Sequence, residues 1–319
     1  MILKKGVNTL KSLVNKILLI SFFIFVYSLA YSNDIVIVYP FDNMIVNDSQ
    51  IHIIGYVSQK DKVEIISNKN LIDIKNFQKL KTKDGLKYVF MTKVNVDKGI
   101  NEINVKYKQN NISLTVKYLT SAELYRDKIK RKTYFHLDEN KSLCVSCHNF
   151  KKIKDCQVCH SDKMNYTYVH GPAAAWQCFQ CHDKNNYFAP KQPISSICLQ
   201  CHEEFRNNMF NAPYAHGPTV AGYCNICHDS HGSNRKYLLN DKINNLCINC
   251  HSEKKSGVHV LANFTSSAHP TSGKKIPGTK EEISCVSCHN PHYGESKQLF
   301  QNGVKDFMIL CTSCHKDKL

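Results

Sequence analysis

The chain carries a single tryptophan, Trp176, among its 319 residues, and Leu and Val are sparse after residue 130. Such a shortage of large apolar side chains excludes an ordinary hydrophobic core in the second half, so something other than side chains must fill it. No cysteine precedes Cys144, which argues against a lipidated N-terminus and leaves the preceding segment to fold without thiol chemistry. Acidic residues are few beside basic ones, 26 against 42, for a formal charge of +16. That imbalance invites a nucleic-acid or anionic-membrane partner, unless something else supplies negative charge. The one prominent apolar run, Ile17 to Leu29, is short for spanning about 30 Å of hydrocarbon.

What surrounds that run is informative. Lys4, Lys5, Lys11 and Lys16 make a positive leader, and Ala30-Tyr31-Ser32 offers small residues at the two positions a signal peptidase reads. Residues 1–32 therefore read as a secretory signal, with Ser28-Leu29-Ala30 as an equally legible cleavage site. An uncleaved membrane anchor is the alternative. Residues 33–119 read as all-β. Ile35 to Tyr39 and Ile51 to Ile54 are rich in β-branched residues, while Val94-Asn-Val96, Ile103-Asn-Val105 and Ile112 to Val116 alternate apolar and polar. Turn chemistry at Asp42-Asn43, Asn47-Asp-Ser49, Asp84-Gly85 and Lys98-Gly-Ile-Asn101 separates them. About seven short strands in this length suggest a sandwich. The pattern Tyr39-Pro40, Ile53-Ile-Gly55 and Gly99-Ile-Asn-Glu-Ile103 resembles bacterial immunoglobulin-like accessory domains. Residues 120–134 are highly charged and predict a linker helix, capped at Thr120 or Ser121.

Beyond Thr133 the texture changes to a repeat, and the repeat decides the fold. Cys-x-x-Cys-His occurs eight times and uses all sixteen cysteines. The copies are Cys144-Val-Ser-Cys147-His148, Cys156-Gln-Val-Cys159-His160, Cys178-Phe-Gln-Cys181-His182, Cys198-Leu-Gln-Cys201-His202, Cys224-Asn-Ile-Cys227-His228, Cys247-Ile-Asn-Cys250-His251, Cys285-Val-Ser-Cys288-His289 and Cys311-Thr-Ser-Cys314-His315. Chance at this composition would give about 0.04 such pentapeptides. Two thiols three positions apart share one side of a helical turn and can reach the two vinyl groups on one porphyrin edge. The adjacent histidine then lies under the iron as its proximal ligand. Zinc ribbons also use Cys-x-x-Cys, but zinc does not require a histidine directly after every second cysteine. A disulfide scaffold suits an oxidising compartment, yet would not repeat one pentapeptide.

Residues 135–319 resemble the doubled-motif multihaem c-type cytochromes, in the style of class III cytochromes c. The carrying residues are His216-Gly-Pro218, then Cys224 to His228 with Asp-Ser-His231-Gly232, then Leu238-Leu239 and Cys247 to His251. Tyr168-Val-His170-Gly-Pro172 repeats the opening, as does His269-Pro270 with Asn290-Pro-His292, and His136 begins the weakest copy. The resemblance implies four copies of two haems each, eight covalent haem c groups, and short helices and loops in place of extended secondary structure.

Low-spin electron-transfer haems usually take a second side chain on the distal face. The seven histidines outside the motifs in this half, His136, His170, His216, His231, His259, His269 and His292, are the candidates. Asn149-Phe150-Lys151 and Asp183-Lys184-Asn185 lack the trailing histidine found at His231 and His292, so at least one iron needs another ligand or none. Met164, Met209 and Met308 are the methionine candidates, although packing is the commoner role for each. His52 sits on a strand of the β segment. No Cys-x-x-Cys-Lys occurs, the replacement that often marks a substrate-binding haem in multihaem reductases, so no catalytic residue is advertised. The aromatic residues, Trp176 and Phe179 among them, read as packing against flat porphyrins.

Loss of the leader lowers the formal charge to +12, and sixteen haem propionates would bring it to −4 with every iron ferrous or +4 with every iron ferric. The basic excess thus compensates cofactor carboxylates, which removes the case for nucleic acid. The expected role is electron transfer between redox partner proteins in the periplasm or at the outer cell surface, with no integral span after signal cleavage. A multihaem reductase with one accessible iron is the second reading. The third is a structural subunit of a haem filament or surface complex, docked through the β domain. Intact mass and a pyridine haemochrome assay on mature protein should return eight haems and no titratable thiol; zinc or free thiols in a colourless sample would overturn the reading.

Overall fold

The computed structural model describes residues 34–129, 136–137, 143–145, 148, 150, 152–255 and 269–316. The expected leader, the last residues of the charged linker, Cys147 and His259 lie outside the described residues. The chain divides into two compact units between Tyr118 and Leu119.

The described residues of the N-terminal unit hold nine strands in two sheets. The first sheet runs β1 (Ile35–Tyr39), β3 (Gln50–Val57), β7 (Gly85–Asn95), β6 (Gln78–Thr82), all antiparallel. The second runs β2 (Met44–Val46), β9 (Asn110–Tyr118), β8 (Gly99–Tyr107), β4 (Val63–Ser67), β5 (Asn70–Ile74), with β2 parallel to β9. Period-two alternation does the sorting. In β8, Asn101, Ile103, Val105 and Tyr107 are buried while Glu102 and Lys106 are exposed. Ile53, Val57, Phe90 and Val94 from one sheet and Val63, Ile65, Ile103, Val105 and Val116 from the other are almost fully buried. Each such side chain contributes roughly 1.5–3 kcal/mol of burial. A Cβ on Gly55 would lie 2.6 Å from both the Val36 carbonyl oxygen and the Phe90 ring. Close approach therefore keeps that position glycine.

Nine strands stand where about seven were expected. The hairpin β4–β5 turns through Asn68 and Lys69, both at positive φ, which is two-residue hairpin geometry built without the usual glycine. β6 is an edge strand whose Lys79 and Lys81 flank a single buried residue, Leu80, and charge on an edge is a guard against further pairing. His52 is half-buried on β3, a deeper position than the strand surface expected of it.

The C-terminal unit opens with the helix Ser121–Arg126, capped by Thr120. The Glu123 amide donates to the Thr120 hydroxyl at 3.3 Å, and the Thr120 amide donates back to the Glu123 carboxylate at 2.9 Å. After it come short helices, single turns and two-residue ladders. Of the buried apolar side chains, only Leu119, Ala122, Leu124, Met209 and Ile226 belong to this unit among the described residues. None of its described helices is long and apolar enough to cross a membrane.

A buried polar bracket closes the β7–β8 turn. Asn101 accepts from the Asp97 amide at 2.7 Å and donates to the carbonyls of Asp97 and Gly99 at 2.7 and 3.0 Å. Asn101→Ala strands these buried groups and should cost about 1–3 kcal/mol. Hydrogen-exchange mass spectrometry should show faster exchange in β7 and β8; unchanged protection there would contradict the assignment.

Candidate metal centres

Every motif is built on one helical turn. The amide of the motif histidine donates to the carbonyl of the first cysteine at 2.8–3.0 Å in His148, His182, His202, His228, His251, His289 and His315. One turn therefore gathers two thiols and an imidazole. The even-numbered motifs end genuine helices, Ile153–His160, Ile194–Cys201, Ile243–Ile248 and Phe307–Thr312. The odd ones sit on isolated turns such as Cys178–Cys181, Cys224–Ile226 and Cys285–Ser287.

Opposite six motif histidines stands a second imidazole. The ring centres of His170 and His202 are 6.1 Å apart, His182 and His231 6.1 Å, His216 and His251 6.3 Å, and His228 and His292 6.0 Å, with planes within 10–25° of parallel. His136 faces His160 and His269 faces His315, each at 6.2 Å, with planes at 51° and 83°. Two imidazoles bound through one nitrogen each to opposite sides of a metal, with bonds of about 2 Å, place their ring centres about 6 Å apart. The spacing fits a six-coordinate iron between each pair, beside two cysteines spaced for a porphyrin edge.

Residues 170–207, 216–256 and 277–319 each match the family described as the doubled CXXCH motif. The cysteine-rich unit belongs to the multihaem c-type cytochromes. No curated protein matches the chain. The first two motifs, from Cys144 to His160, lie outside the three matched stretches. Covalently bound haem c is the cofactor this unit is made to hold.

The cytochrome unit pairs its histidines by a simple rule. The histidine ahead of an odd motif faces the even motif of its own copy: His136 with His160, His170 with His202, His216 with His251, His269 with His315. The trailing histidine of a copy faces the odd motif of the copy before it: His231 with His182, His292 with His228. Two-residue ladders make this exchange possible. Tyr168-Val169 pairs with Gly232-Ser233, and Tyr214-Ala215 pairs with Tyr293-Gly294. The His170 amide then donates to the His231 carbonyl at 2.9 Å and the His216 amide to the His292 carbonyl at 2.8 Å. Gly232 has no room for a side chain, since a Cβ there would lie 2.7 Å from the Tyr166 ring.

Outer contacts set the ring orientation. Nδ1 of His182, His228 and His289 lies 2.7 Å from the carbonyls of Phe188, Tyr237 and Gln298. A carbonyl can only accept, so Nδ1 carries the proton and Nε2 is left with its lone pair for a metal. Nδ1 of His170 lies 2.9 Å from the Ser230 carbonyl, and Nδ1 of His231 3.2 Å from the Asp229 carboxylate. Burial pushes His182 and His216 below the usual histidine value and His292, which also faces His228, down to about 4. Each is neutral at pH 7, as a ligand must be.

The cysteines link successive motifs. The Cys198 and Cys224 side chains are electrostatic neighbours, as are Cys247 and Cys285 and Cys156 and Cys178. These are first cysteines. Second cysteines neighbour one another too: Cys181 with Cys201, Cys227 with Cys250, Cys288 with Cys314. Neighbouring cysteines thus link each motif to the next, from the second to the eighth.

Six of the seven expected distal histidines thus face a motif histidine, and His259 lies outside the described residues. Met209 is buried in the helix Glu203–Asn211, Met164 is half-buried and Met308 is exposed. Asp229 and Ser230, which orient two of the rings, were not singled out from the sequence; their place directly before a trailing histidine is the available signal. The exchange between copies gives a test. His231→Ala should add one high-spin ferric haem by electron paramagnetic resonance. That added signal should vanish when Cys178 and Cys181 are also replaced by alanine, and persist when Cys224 and Cys227 are; the opposite result would refute the pairing.

Proposed function

We propose that the chain is an exported octahaem cytochrome that passes electrons along a single file of haems. The observation that carries this reading is the neighbourhood of cysteines from successive motifs, which joins motif two to motif eight in sequence order without a skipped member. Neighbouring cysteines bring the porphyrin edges they anchor near one another, and short separations between neighbouring rings are what a conducting chain needs. In this reading Cys144, Cys147, Cys156, Cys159, Cys178, Cys181, Cys198, Cys201, Cys224, Cys227, Cys247, Cys250, Cys285, Cys288, Cys311 and Cys314 form the thioethers. The eight motif histidines are proximal ligands and the facing histidines are distal.

Imidazole on both faces favours low potentials, because methionine in place of a distal histidine raises them. The protein's contribution is geometry and electrostatics: fixed ring separations and tautomers locked by carbonyls. The basic leader supports export, where covalent attachment keeps the cofactor from being lost. Donors and acceptors would be redox proteins of the periplasm or outer surface, with the β unit as a docking module for a surface complex.

A file has no detour, so removing one member should break it. In a protein film tethered through a C-terminal tag, Cys198→Ala with Cys201→Ala should leave seven haems. Turnover of a soluble acceptor should drop by about an order of magnitude or more. Undiminished turnover with seven haems present would rule out a single file.

A further inference from the structure

We propose that the haem iron held by His148 has no histidine on its distal face and is a binding site for a small exogenous ligand that attaches through one carbon or nitrogen atom. The inference rests on the octahaem reading above and deepens it. Under the pairing rule, the odd motif of one copy draws its distal ligand from the trailing position of the next copy. His182 draws on His231 and His228 on His292. His148, the odd motif of the first copy, would draw on the trailing position of the second, and that residue is Asn185.

The equivalence is structural. The Asn185 amide donates to Asp183 Oδ1 at 2.9 Å, as the His231 amide does to Asp229 at 2.9 Å and the His292 amide to Asn290 at 3.0 Å. The loops close alike. Asp183 and Lys191 donate to the carbonyls of Ala189 and Cys181 at 2.9 and 2.8 Å, and Asp229 and Asn240 donate to those of Leu238 and Cys227 at 2.8 Å each. Between these closures the second copy is three residues shorter than the third and fourth. What it lacks is the stretch that supplies Gly232-Ser233 and Tyr293-Gly294 to the ladders. The shortening thus removes the ligand together with the strand that presents it.

Counting points the same way. Seven candidate histidines cannot serve eight irons, and six of them are paired with motif histidines other than His148. His289, the odd motif of the fourth copy, has no following copy to draw on, and we assign it the seventh histidine, His259, which precedes motif seven in the chain. Among the described residues no imidazole faces His148 at ligand spacing. Its neighbours are the Phe150 ring, 6.1 Å away between centres, and the Asp155 carboxylate, 4.0 Å from Nδ1. At 4.0 Å the carboxylate is beyond hydrogen-bond reach of this nitrogen, whereas His182 and His228 meet carbonyls there at 2.7 Å.

Carbon monoxide titration of the reduced holoprotein tests this. The wild type should bind a single equivalent per chain, His231→Ala two, and the double variant Cys144→Ala, Cys147→Ala none. Eight haems with no carbon monoxide bound would overturn the proposal. So would binding that survives loss of Cys144 and Cys147. A pyridine haemochrome count below eight would instead break the octahaem reading on which the site depends.

Discussion

Two imidazoles with about 6 Å between their centres have the spacing that a metal bound to both would require. Six such pairs recur through residues 136–315, and most of the local structure around them works to hold that spacing. Single helical turns aim the proximal rings. Two-residue ladders, too short to be stable alone, aim the distal ones. Carbonyls at Nδ1 choose the tautomer. With only five buried apolar side chains among its described residues, this unit has little else to fold around. Its folding should therefore be coupled to cofactor attachment, as small metal-organised domains are coupled to their metal.

The N-terminal unit obeys the opposite logic. Its stability comes from two sheets whose inward residues, Ile53, Phe90, Ile65 and Val105 among them, exclude water, and from polar brackets such as Asn101. Nothing in it needs a cofactor. One chain thus joins a unit that pays for chain entropy with hydrophobic burial to one that does so with coordination and thioether bonds. The positive charge in excess of the acids makes sense only in that second context, where each porphyrin brings two carboxylates.

Legibility followed the same division. Five of the nine strands were visible as runs of Val and Ile or as strict alternation. β4 and β5 were hidden because their turn uses Asn68 and Lys69 where glycine is the usual sign, and β6 because its lysines guard an edge. In the cytochrome unit the thioether cysteines, the proximal histidines and the pool of distal candidates could all be read directly, since covalent chemistry demands fixed residue types at fixed spacing. Which distal ring serves which iron could not. A ligand's reach is set by how loops fold back on one another, and Ser230 and Asp229 act through contacts that residue spacing does not encode.

By itself, then, the amino-acid sequence determined that this is a multihaem c-type cytochrome with a β segment ahead of it, because Cys-x-x-Cys-His carries its whole chemistry within five neighbouring residues. The tertiary structure alone decided the exchange of histidines between copies and the neighbourhood of cysteines from successive motifs. Each of these is a relation between residues dozens of positions apart, and only the folded backbone brings them near one another.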